Sequence, residues 1–190
     1  MARPAHFYEP GFPYLITSVT DHRQPLLTQN GNGRRVLNDL DFYRNQFRYQ
    51  LFGYVIMPDH FHSVILPSED DFKRFAVELL EQERAGKVHH GYDPKRPEQY
   101  YLNKIMRELS RHSSYEINGA ADMRGRAVWQ DGFDGRVLRD ADTVRRALDY
   151  LHQNPVEAKL VEQPQDWPLS SYRNIVLGDE SLIRLDALAL

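Results

Sequence analysis

Apolar positions alternate with polar ones along some stretches of the chain and recur every third or fourth residue along others. These two periods predict most of its elements. Tyr14-Leu-Ile-Thr-Ser-Val-Thr20 is rich in aromatic and β-branched residues and predicts a first strand, after which Asp21-His-Arg-Gln-Pro25 turns the chain. Val36, Leu37, Leu40, Tyr43 and Phe47 fall near helical spacing and predict a helix from about Arg34 to Gln50. Leu51–Pro58 and His60–Leu66 read as two strands joined by a tight Pro-Asp turn, a β-hairpin. Ser68 then caps a helix with an acidic first turn, running to about Glu83. Gly86, Gly91, Pro94 and Pro97 make Ala85–Pro97 a loop. Leu102, Ile105, Met106 and Leu109 mark a helix from about Gln99 to Ile117, and Asn118-Gly-Ala-Ala breaks it. Ala127–Gln130 and Gly135–Leu138 are short extended pieces. Asp142 or Thr143 caps a last helix that ends at Pro155, and Gln163–Tyr172 reads as irregular. The order β-α-β-β-α-α-β-α predicts an α+β fold: a ferredoxin-like antiparallel sheet with helices packed on one face.

Composition narrows the chemistry. The 190 residues suit a single domain, and no repeat or linker divides them. There are no cysteines, which excludes disulfides, thiol catalysis and Cys-ligated zinc. No apolar run approaches the roughly 18 residues of a membrane span. The N-terminus, Met1-Ala-Arg-Pro-Ala-His6, lacks a signal-peptide core, so a cytoplasmic location is expected. With 24 Lys+Arg against 27 Asp+Glu the net charge is −3, which is acidic for a nucleic-acid binder. The charge is uneven, however. Lys104–Arg139 holds seven basic and five acidic residues, whereas Glu69–Arg84 holds three basic and six acidic.

Two local features carry candidate chemistry. Residues two apart on a strand share a face, so His60 and His62 project the same way and Phe61 the other. Two imidazoles on one sheet face are candidate metal ligands, although an isolated His-x-His is more often structural. On the last helix Val144, Ala147, Leu148 and Leu151 form an apolar stripe, and Tyr150 lies off its centre. Asn154 follows one turn later on nearly the same face, so a phenol and an amide oxygen can approach one ion. A packing tyrosine and a helix-terminal asparagine explain the same residues without chemistry. His152 is a rival ligand but points to another side of the helix.

Taken together, these segments resemble a family. Tyr54-Val-Ile-Met-Pro-Asp-His-Phe-His62 is similar to the HUH metal motif of single-strand tyrosine transposases, and Leu148-Asp-Tyr-Leu-His-Gln-Asn-Pro-Val-Glu-Ala-Lys-Leu-Val161 to their nucleophile helix. Asp166-Trp-Pro-Leu-Ser-Ser-Tyr172, Trp129–Arg139, Phe12–Thr20 and Arg23-Gln-Pro-Leu26 resemble segments of the REP-associated tyrosine transposase branch. The resemblance spans about residues 6–174 and leaves 175–190 as a tail. The chain is less basic than that family commonly is, and Ala85–Gln99 does not follow its pattern. The resemblance implies a ferredoxin-like fold and metal ligation by His60 and His62, with Asn154 as the third, polar ligand. It also implies that Tyr150 is the nucleophile in single-stranded DNA cleavage and strand transfer. The expected substrate is hairpin, REP-like DNA, the cofactor Mg²⁺ or Mn²⁺, and the protein a monomer, with a homodimer as the alternative.

The chemistry is coherent with these groups. A free phenol titrates near about 10, so a tyrosine nucleophile benefits from a nearby cation or base. Strand transfer through phosphotyrosine needs no ATP, and no GxxxxGK[ST] loop is present. Lys104, Arg107 and Arg111 along one helix face, with Arg126 and Arg136 beside the fourth extended region, are candidate phosphate contacts; Arg124 and Arg139 lie nearby. Trp129, Phe133 and Tyr92 are candidates for stacking on bases, with core packing the main role expected of Trp129. The alternatives are a DNA- or RNA-binding module of the same fold without nuclease activity, and a metal-dependent hydrolase in which Tyr150 is structural.

Overall fold

The structure is a computed structural model that describes residues 8–87, 93 and 95–188, with the backbone alone at Gln99. Met1–His6, Tyr92 and most of the loop around His89 and His90 fall outside the described residues. The main elements are β1 (Tyr14–Val19), α1 (Asn32–Phe47), β2 (Gln50–Ile56), β3 (His60–Leu66), α2 (Glu69–Arg84) and α3 (Tyr101–Ala120). They are followed by β4 (Asp134–Val137), α4 (Ala141–Glu157) and α5 (Tyr172–Leu177). The strands form one antiparallel sheet in the order β2-β3-β1-β4. This is the expected ferredoxin-like layout, and no helix among the described residues is long and apolar enough to cross a membrane.

Alternation on the strands builds two cores. Tyr14, Ile16, Leu51, Tyr54, Ile56, Phe61 and Ile65 face a core shared with Val36, Leu37 and Leu40 of α1 and Leu102, Ile105 and Leu109 of α3. The opposite sheet face presents Phe52, Val55 and Val64 to Val144, Ala147 and Leu151 of α4. Helices therefore cover both faces rather than one. The cause is the apolar stripe of α4, which has its own complement on the second face of β2 and β3. Gly53 sets how closely α4 approaches, since a Cβ there would lie 2.5 Å from Leu148 Cδ2 and 3.2 Å from Ser171 Oγ.

Several boundaries differ from the sequence expectation for local reasons. The cap of α2 is as expected: Ser68 Oγ accepts the amide of Asp71. For α4 the cap is Asp140, whose carboxylate accepts the Thr143 amide at 2.7 Å. Pro155 does not end α4 but sits buried in its last turn. Lys159 ends it, with a left-handed φ of 57°. The amide of Leu160 reaches the carbonyl of Pro155, and that of Lys159 the carbonyl of Val156, which satisfies the terminal acceptors. The run Asn118-Gly-Ala-Ala does end α3, three residues later than expected, at Ala120; the buried Asn118 side chain donates to the carbonyl of Arg126. The stretch expected to be irregular runs along the outer edge of β2. Ile56 donates to the Leu169 carbonyl, and Ser171 to that of Tyr54. Further along the same edge, Asp186 exchanges hydrogen bonds with Leu51 through its amide and its carboxylate.

Candidate active site

The candidate site is built where β3, β1 and α4 meet. His60 and His62 share a face of β3, with ring centroids 4.8 Å apart. Phe61 between them is fully buried on the other face, edge-on to Trp129. Register places Thr17 of β1 directly opposite His62, and its Oγ1 lies 2.8 Å from His62 Nδ1. His60 Nδ1 donates to Asp59 Oδ1 at 2.6 Å, and Arg23 donates to the other oxygen of the same carboxylate at 3.0 Å. Burial works against ionising Asp59, but the hydrogen bonds and charges of His60 and Arg23 outweigh it and hold the carboxyl below its ordinary range. An ionised carboxylate only accepts, so Nδ1 of His60 carries the hydrogen and Nε2 is the ring nitrogen available to a metal.

His62 is 4% exposed, and burial, helped by the neighbouring His60, pushes its pKa down to about 3. It is therefore neutral at physiological pH, the form in which imidazole binds a metal. Its Nε2 faces Tyr150 of α4: the phenol oxygen is 3.5 Å away and the ring centroids are 5.2 Å apart. Tyr150 is 45% exposed, so the phenol is open to a substrate. The cleft in front of it has a volume of about 410 Å³ and is bordered by Thr17, His62, Asp134, Arg136, Arg146 and Tyr150.

Three of the four expected core residues are thus assembled: His60, His62 and Tyr150. Asn154 lies one turn beyond Tyr150 and is half-buried. Among the described residues its backbone carbonyl accepts from Ala158, and no hydrogen bond joins its side chain to the histidines. His152 is occupied elsewhere, with Nε2 2.9 Å from Ser171 Oγ, and burial lowers its pKa to about 4. Thr17, Asp59 and Arg146 were not among the expected site residues. Asp59 could have been found as the carboxylate next to His60, but Thr17 needs the strand register.

The five expected phosphate contacts divide among three places. Arg136 borders the Tyr150 cleft. Arg107, Arg111 and Arg126 line a separate groove of about 800 Å³ together with Trp129. There Arg111 pairs with Glu108 at 2.8 Å, Arg107 lies 3.9 Å from the same carboxylate group, and Arg126 donates to Asn118. Lys104 turns away from both, over the ring of Phe75 and 3.4 Å from Glu78. Trp129 packs against the core and donates from Nε1 to Ser113. Phe133, 5% exposed, is a core residue rather than a base-stacking platform.

The His60/His62 pair fits a divalent ion on the chemistry of its donors. Each Nδ1 has a hydrogen-bonding partner behind it, Asp59 or Thr17, the usual support of a metal-bound imidazole.

No family model matches the chain. A protein of Haemophilus influenzae whose name places it among the REP-associated tyrosine transposases is 27% identical over 157 residues, 76% of this chain and 77% of that one. The REP-associated tyrosine transposase of Escherichia coli K12 is 35% identical over 52 residues, 27% of this chain and 32% of that one. Among solved structures, a REP-associated tyrosine transposase bound to a REP hairpin superposes with a TM-score of 0.62 at 18% identity. That match covers 100% of this chain and 94% of the other, and shows the shared fold. The chain is thus similar in sequence to a REP-associated tyrosine transposase over three quarters of its length, and it shares the fold of another over all of it.

Proposed function

We propose that this protein cleaves and rejoins single-stranded DNA at hairpin, REP-like sequences, with Tyr150 as nucleophile and His60 and His62 as metal ligands. The observation that carries this reading is the 3.5 Å approach of the Tyr150 phenol to His62 Nε2 across an open cleft. A phenol on a helix and a neutral imidazole, that of His62, on a sheet meet at an open cleft of about 410 Å³. The hairpin substrate rests on the relative that is bound to a REP hairpin.

In this mechanism the Tyr150 oxygen attacks phosphorus, its proton passes to solvent at the exposed edge of the ring, and the P–O bond to one side of the phosphate breaks. The departing DNA oxygen takes up a proton and becomes a hydroxyl. The phosphotyrosine retains the energy of the broken bond, so a DNA hydroxyl can displace Tyr150 and rejoin the strand without ATP. Thr17 and Asp59 fix the two imidazoles, and Arg136 and Arg146 hold the backbone phosphates in the cleft. A divalent ion, Mg²⁺ or Mn²⁺, held by His60 and His62 with Asn154 as third ligand, would neutralise charge that develops on the phosphate oxygens.

Incubation with a single-stranded hairpin oligonucleotide and Mn²⁺ tests the proposal on a denaturing gel. A covalent protein–DNA adduct is expected for the wild type and none for Tyr150→Phe. Cleavage that persists in Tyr150→Phe would overturn the nucleophile assignment. Binding without an adduct across metals and hairpins would leave a DNA-binding module of this fold.

A further inference from the structure

The first helical layer contains a second group of ligand-type side chains, on the sheet face opposite His60 and His62. Asp39 of α1 and His112 and Glu116 of α3 each offer one ligand atom, all within 4.8 Å of one another. The group bridges two packed helices whose members lie 73 residues apart in sequence. His112 and Glu116 are one helical turn apart, so both side chains leave α3 toward α1. Asp39 enters from beneath with its side chain 4% exposed. Its Oδ1 accepts from His112 Nδ1 at 2.8 Å, but its Oδ2 is buried without a hydrogen-bond partner. An orphaned carboxylate oxygen in the interior is costly, and two carboxylates placed together repel. A cation resolves both problems at once.

From this geometry we infer a second divalent-cation site, formed by Asp39, His112 and Glu116, that takes Zn²⁺ and ties α1 to α3. One imidazole and two carboxylates are ordinary zinc ligands and leave a fourth position to water. Metal–ligand bonds of about 2.0–2.2 Å would bring the donor atoms to roughly 3.4 Å from one another. The contraction falls on Glu116 and His112, which are only half-buried and can turn, whereas Asp39 is held by the helix packing. Phe42 and Tyr43 flank the imidazole, the first nearly parallel to it and the second edge-on, and limit its rotation. The site is a brace for the helical layer behind Phe61 and is separate from the DNA-cleaving centre.

Zinc binding by protein stripped with a chelator tests this independently of nuclease activity. In a His60→Ala/His62→Ala background, one equivalent of Zn²⁺ should survive equilibrium dialysis and raise Tm by several degrees. Adding Glu116→Gln or His112→Ala should weaken that binding at least tenfold and abolish the Tm shift. Circular dichroism confirms that each variant is folded, and Glu116→Gln keeps the size of the side chain it replaces. No retained zinc in the His60→Ala/His62→Ala protein, or zinc binding unchanged by Glu116→Gln and by His112→Ala, overturns the inference. The wild type should hold two equivalents under the same conditions, and a single equivalent lost with His60 and His62 also refutes it.

Discussion

Thr17→Val removes a single hydroxyl behind His62 and keeps the shape of the side chain. Thr17 Oγ1 lies 2.8 Å from His62 Nδ1, at a position where His62 is 4% exposed. Valine therefore leaves a buried ring nitrogen with neither protein nor bulk water as partner. A buried polar group stripped of its partner costs about 1–3 kcal/mol. Loss of the group that orients a metal-bound imidazole costs about 10–100-fold in metal affinity. That is about 1.4–2.7 kcal/mol, so two separate arguments give the same size of effect. The assay is calorimetric titration with Mn²⁺ at neutral pH, in a His112→Ala background so that the sheet site alone is counted. Thr17→Val should bind 10–100-fold more weakly than its parent, and Thr17→Ser, which keeps the hydroxyl, should stay within a few fold of it. Equal affinity in Thr17→Val, or an equal loss in Thr17→Ser, would show that the hydroxyl does not support the ligand.

Two further predictions concern pH and DNA. Burial depresses His62 to about 3 and His152 to about 4, both below the ordinary histidine value near 6.5. The unfolded chain therefore takes up these protons first. Stability is full above about pH 6.5 and falls as pH drops toward 4 and then 3, by on the order of 3 kcal/mol for His152. Urea melts from pH 7.5 to 4.5 should show this fall, with a shallower slope in His152→Gln; an unchanged slope would remove His152 from the account. Arg136→Ala and Arg146→Ala should each weaken single-strand binding and reduce the slope of log K against log salt by roughly 0.7 for each phosphate no longer neutralised. Lys104→Ala should leave that slope unchanged, because Lys104 is engaged with Glu78 and Phe75. Fluorescence anisotropy over a salt series measures both, and a slope that responds to Lys104 alone would move the DNA to another surface.

The elements were legible where one local period dominates. The β3 histidines, the stripe of α4 and the exposure of Tyr150 all follow from spacing along a single element. What was not legible depends on partners distant in sequence. Thr17 becomes a site residue only when antiparallel register sets it opposite His62. Placement of α4 on the second sheet face follows from which apolar set it complements, and its own stripe does not contain that information. Pro155 looked like a terminator because a proline lacks an amide hydrogen, yet the last turn tolerates it and the left-handed Lys159 ends the helix. Charge was the least legible property. Arg107, Arg111 and Lys104 share helical spacing, but Glu108 and Glu78 decide which way each cation faces.

The outer edge of β2 is sealed by the chain itself, through Leu169, Ser171 and Asp186. A sheet edge left bare is a template for another copy of the same sheet. Here the backbone groups of Leu51, Tyr54 and Ile56 are already paired, so strand-to-strand polymerisation is blocked on that side. On the other side β4 is four residues long and bears Asp134 and Arg136, too short and too charged to recruit a partner strand. Leu169, Ser171 and Asp186 thus act as a cover on that edge, and truncation before Leu169 should leave the backbone of β2 open to pairing with another copy.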